Sequence, residues 1–135
     1  MNDKTIKQSV ILDCSPKAAF DAWLDSKSHS EMTGGGAKID PTVGGKFTAW
    51  DKYIEGENLE VNPKTLTIVQ SWRENEDQWP EDYFSKITVK FLEHGKNQTK
   101  LEFEQTGVPE IYLEDLESGW KDFYWKPMQE YFSSK

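Results

Sequence analysis

A chain that ends in an aromatic-rich amphipathic helix, after a long series of strands, has few ways to fold. From about Glu110 to Phe132, the side chains Leu116, Trp120, Phe123, Tyr124, Met128 and Tyr131 recur near helical spacing. One face of that helix is therefore apolar. Gly107–Val108–Pro109 reads as the turn that enters it. Pro127 has no amide hydrogen and its ring crowds the preceding turn, so a kink is expected there. A helix with such a face needs a sheet to cover it.

The preceding residues supply the sheet. Residues 5–12 read as a first strand. Ser15 and Pro16 read as the cap and first residue of a helix reaching about Asp25, with Ala19, Phe20, Trp23 and Leu24 on one face. Ser26 to Thr33 is a second short helix or turn, ended by Gly34–Gly36. Strands are then expected over 38–40, 46–51, 53–61, 65–74, 83–93 and 99–105. Gly56 is placed at a bulge. Alternation groups Leu66, Ile68, Gln70 and Trp72 on one face, and Tyr83, Ser85, Ile87, Val89 and Phe91 on another. Short turns at Gly44–Gly45, Asn62–Pro63 and 94–97 require antiparallel neighbours. The fold class is therefore α+β: a curved antiparallel sheet of about six to seven strands around a long C-terminal helix, with two short helices near the N-terminus. The 135 residues are expected to form one domain, 1–135, large enough to need no disulfide or metal staple.

Charge and residue supply narrow the function. A net charge of −8 disfavours nucleic acid and anionic membrane surfaces as partners. No long apolar run and no basic-then-apolar leader is seen, so neither membrane insertion nor a signal peptide is expected, and a cytoplasmic location is the default. The single cysteine, Cys14, reads as a buried structural thiol. His29 and His94 read as solvent-facing, without metal-ligand spacing. The acids around Glu74, Glu81 and Glu114 read as solvated or as favoured by a helix start. Gly34–Gly36 lacks the helix and Lys-Ser/Thr pattern of a phosphate cradle. No catalytic residue, metal or cofactor is expected.

The aromatics are the stronger candidates. Trp23, Phe47, Trp72, Tyr83, Phe103, Trp120 and Tyr124, with Gln70 and Gln105 as polar fixing points, either line a cavity between sheet and helix or fill a core. Trp50 is a further candidate for the lining, but it alternates with Phe47 and Ala49 and its face stays open. The polar loop 75–82, with Trp79–Pro80, is either a plain connection or a lid or partner contact.

Several segments carry a resemblance. They are Ser15 to Trp23, Gly44 to Phe47, Tyr53 to Glu57, Gln70 to Trp72, Gln105 to Pro109 and Gly119 to Phe132. In this order they resemble the START-like, or Bet v 1-like (SRPBCC), helix-grip superfamily. Within it, the chain is similar to the homologues of the activator of the 90-kDa heat-shock chaperone ATPase. The resemblance implies a helix-grip fold and a cavity for an apolar, amphipathic or lipid-like molecule, without a metal or redox cofactor. It also implies a chaperone partner and a stress-linked adaptor role. Cyclase- or hydrolase-like activity, found in some superfamily members, would fall on Tyr83, Tyr124 or Gln105. The eukaryotic co-chaperone carries an additional N-terminal domain and an Asn- and Trp-rich activating motif, for which these residues show no counterpart.

Overall fold

Strand β1 (Asp3–Leu12) buries Ile6, Val10 and Leu12 in this computed structural model, which describes residues 3–133. Helix α1 (Pro16–Leu24) begins as its Ser-Pro pair predicts, with the Ser15 hydroxyl accepting from the Ala18 amide at 3.3 Å. Helix α2 (Ser26–Thr33) follows at once, capped by the Asp25 carboxylate, which accepts from the Ser28 amide at 2.9 Å. It ends on Gly34 at φ 87°, a left-handed conformation that a residue without Cβ adopts freely.

Six more strands complete the sheet: β2 (Lys38–Ile39), β3 (Lys46–Ala49), β4 (Ile54–Asn62), β5 (Thr67–Glu74), β6 (Ser85–Glu93) and β7 (Thr99–Pro109). The order is β1-β7-β6-β5-β4-β3-β2 and every neighbouring pair is antiparallel. β1 thus pairs with the last strand, and β2 forms the opposite edge. Alternation holds in β5 and β6: Ile68, Gln70, Trp72, Ser85, Ile87, Val89 and Phe91 are all buried.

Two local expectations are corrected. The bulge in β4 lies between Asn58 and Glu60, not at Gly56. Gly56 instead allows close backbone approach, since a Cβ there would collide with the Ser71 carbonyl of β5. Gly107–Pro109 is not a turn but the end of β7, where Gly107 at φ 74° sits opposite a register shift in β1. The turn is a 3₁₀ segment, Glu110–Tyr112.

The C-terminal helix runs as α3 (Leu113–Trp120), a π-helical turn at Lys121–Trp125, and α4 (Lys126–Ser133). The helix is irregular just before Pro127, where a kink is expected. Pro127 cannot donate to the Phe123 carbonyl, and its ring crowds it. The backbone widens, and the Lys126 amide bonds the Lys121 carbonyl five residues back. The wider turn buries two adjacent residues, Tyr124 and Trp125, while Phe123 is 56% exposed. Phe123 was expected on the apolar face; Trp125 was not. Gln8 of β1 spans this irregularity: its Nε2 donates to the Glu117 carbonyl at 2.9 Å, and its Oε1 accepts from Trp125 Nε1 at 2.7 Å. The result is a helix-grip fold, with one apolar core between the sheet and the long helix.

Candidate functional site

The space between sheet and helix has two ends of different character. At the sealed end, Trp23 Nε1 donates to Gln70 Oε1 at 3.2 Å. Gln70 Nε2 donates to Asn58 Oδ1 at 2.8 Å, and Asn58 Nδ2 donates to the carbonyls of Asp40 and Thr42. A second chain, which holds two residues of the open end, runs from Trp120 Nε1 to Gln105 Oε1 at 2.9 Å, from Gln105 Nε2 to Ser85 Oγ, and from Ser85 Oγ to the Trp72 carbonyl. The Tyr83 hydroxyl donates to the Gly107 carbonyl at 2.7 Å. Phe103 packs against Trp120 at 4.3 Å, and Phe47 is buried beside Gly56. Among the described residues no buried side-chain polar atom lacks a partner.

His29 belongs to this end and is not solvent-facing, as the polar look of its segment suggested. It is 3% exposed. The Trp23 carbonyl, which can only accept, lies 2.9 Å from Nδ1, so Nδ1 carries the proton. Nε2 then accepts from the Tyr124 hydroxyl at 3.0 Å. Burial depresses the imidazole pKa to about 4, and burial raises that of the Tyr124 phenol. The missed signal is the pairing of His29 with Met32, three residues apart on the buried face of α2. Cys14 is half-buried rather than fully enclosed, and burial pushes its thiol up. His94 is exposed in its turn.

The open end is a cleft of about 590 Å³. Of the nine sequence-predicted residues, Trp72, Trp120 and Tyr124 line it. Trp23, Phe47, Gln70, Tyr83, Phe103 and Gln105 do not. Trp50, the aromatic candidate whose face stayed open, lines it as well, and Tyr53, Ile54, Glu74, Tyr112, Leu116 and Phe123 join it. Trp50 is placed by an unusual turn: Trp50, Asp51 and Lys52 all have positive φ, at 51°, 56° and 75°. Gly35 makes room for it, since a Cβ there would collide with the indole. The Asp51 amide bonds the Gly36 carbonyl at 2.9 Å, tying the turn to the segment after α2. Trp50 then meets Phe123 edge-on at 5.6 Å.

Loop 75–82 backs the other wall. Trp79 is buried, not presented to a partner; it stands edge-on to Trp72 at 5.9 Å and packs on Tyr112 at 5.3 Å. Its indole donates to the Tyr83 carbonyl at 2.8 Å.

The cleft is acidic. Glu74 closes β5, and its carboxyl is pushed up to about 7, first by burial and then by the charges of Glu76 and Asp115. It is not simply solvated, as its sequence surroundings suggested. Tyr53 donates its hydroxyl to Glu76, and burial and the carboxylates raise the Tyr53 and Tyr112 phenols. Glu74 was legible in principle: it continues the inward alternation of Gln70 and Trp72 by one more step. No group of three metal-ligating side chains comes together among the described residues. No helix among them is long and apolar enough to cross a membrane.

Comparison with known proteins gives this architecture a family. A homologue of the activator of 90 kDa heat shock protein ATPase from Dictyostelium discoideum is 34% identical over 118 residues. The match covers 87% of this chain but 30% of that relative, so the chain spans less than a third of its length. The crystal structure of an HSP90 activator from Plasmodium falciparum superposes with a TM-score of 0.84 at 26% identity, covering 96% of each chain. The Aha1 dimer from Colwellia psychrerythraea gives a TM-score of 0.77 at 15% identity over 96% of both chains, a likeness of fold. Residues 13–133 match the model of one family along nearly their whole length, and the chain belongs to it: the Activator of Hsp90 ATPase homolog 1-like proteins.

Proposed function

We propose that the chain is a binding domain that holds an amphipathic small molecule in its open-end cleft. The observation that carries this reading is the cleft itself. It offers about 590 Å³ walled by Trp50, Trp72, Trp120 and Phe123. Ligand sites are typically concave, mostly apolar and furnished with a few polar groups. The sealed end supports the same placement, because Trp23, Gln70 and Asn58 already bond one another and leave little reason to open. Amide-resolved NMR during addition of a panel of amphipathic compounds tests this. Saturable shifts are expected at Trp50, Trp72, Glu74 and Phe123, with Trp23 and Gln70 unmoved. A spectrum that never changes, or shifts confined to the sealed end, would sink it.

A second reading follows from the family. A 90-kDa heat-shock chaperone is the partner, and the chain modulates its ATP hydrolysis. The likeness to an HSP90 activator over 96% of both chains favours it. The purified chaperone's hydrolysis rate is expected to rise when this chain is added. An unchanged rate at saturating chain would count against it.

A further inference from the structure

We propose that the cleft selects an organic cation with an apolar body, a quaternary or protonated amine, with Glu74 as its counter-charge. The proposal rests on the cleft being the binding site. The lining holds three carboxylates, Glu74, Glu76 and Asp115, and no lysine, arginine or histidine. Among the described residues none of the three is in an ion pair; the five pairs all use other acids. Glu76 has the Tyr53 hydroxyl as a donor. The Glu74 carboxyl receives no hydrogen bond among the described residues, although it lines the cleft and is partly withdrawn from water.

That arrangement discriminates between ligand classes. An anionic amphiphile such as a fatty acid would enter against the like charges of Glu76 and Asp115 and the ionised fraction of Glu74. A neutral one would cover Glu74 and remove its remaining water without replacing it. A cation supplies the missing charge, and aromatic walls attract it through their ring faces. The rest of the cleft, walled by Trp50, Trp72, Trp120 and Phe123, then takes the apolar body.

Calorimetric titration with three probes that share one body tests this: 4-phenylbutyl-trimethylammonium, 4-phenylbutanol and 4-phenylbutyrate. The ammonium is expected to bind at least about tenfold more tightly than the alcohol, as charge pairing plus ring attraction would give. The carboxylate is expected to be weakest. Glu74→Gln should bring the ammonium down to the level of the alcohol. Asp115→Asn, at an exposed position in the first turn of α3, should weaken the ammonium severalfold and the alcohol much less. If the alcohol or the carboxylate binds as tightly as the ammonium, the charge preference is overturned while the cleft stands as a site. If none of the three binds, the proposal and the cleft reading fall together.

Discussion

The two ends of the core use the same residue types to opposite effect. At the sealed end, Trp23, His29 and Tyr124 form a closed set, with ring centroids 5.3–5.5 Å apart and donors and acceptors matched. At the open end, Trp72, Trp120 and Trp50 share a cleft with three carboxylates, of which Glu76 has the Tyr53 hydroxyl and Glu74 receives no hydrogen bond among the described residues. Both ends move a titrating group toward its neutral form. His29 is held neutral by enclosure; Glu74 is pushed up to about 7 by enclosure and by like charges, so that it still carries charge around neutral pH. Aromatic content alone therefore does not mark a ligand site. What distinguishes the open end is polar capacity left over.

The contrast can be broken most severely at the sealed end. Trp23→Ala removes a buried ring and leaves Gln70 Oε1 without its donor, and is expected to cost about 3–5 kcal/mol in urea unfolding. Next comes acidity. The folded-state pKa of His29 lies below its ordinary value, so the unfolded chain takes up a proton first. Stability is therefore lost as pH falls from about 6.5 toward 4, by about 3 kcal/mol in all. Urea midpoints between pH 7 and 4 should show this slope, and His29→Gln should flatten it. A slope unchanged in that variant would assign it elsewhere.

Gly35→Ala tests the other end. Its Cβ must push Trp50 aside, at about 1–3 kcal/mol for overpacking, and the Trp50 emission should shift. The smallest effect has the opposite sign. The folded-state pKa of Glu74 lies above its ordinary value, so the folded chain holds the proton more tightly. Stability is then gained as pH falls through about 7 toward 4.5. Glu74→Gln should raise stability above pH 7 by at most ~1 kcal/mol, since solvent screens a partly exposed group. Below pH 4.5 it should change nothing. A destabilised variant at pH 8 would mean that Glu74 has a partner after all.

Local chemistry made most of the fold legible. Ser15–Pro16, the alternation in β5 and β6 and the C-terminal helix each depend on a few neighbouring residues. The misses depend on distance in the chain. His29 is buried because α2 lies against Tyr124, 95 residues later. Trp79 reads as a loop residue until Trp72 and Tyr112 enclose it. Which of Trp23, Trp72 and Trp120 would border open space depends on how three elements close together, and no spacing within one element carries that.

Gln8 makes the helix irregularity a matter of phase. In an unbroken α-helix, Glu117 and Trp125 would face directions about 80° apart. The π-helical turn absorbs that angle, so both reach one side chain of β1. Upstream of the turn the helix contributes Leu116 and Trp120 to the cleft; downstream, Met128 and Phe132 lie in the closed core. A single residue removed between 121 and 125 would leave composition and apolar content nearly unchanged. It would nonetheless rotate one half of the helix against the other, and the edge strand could follow only one of them.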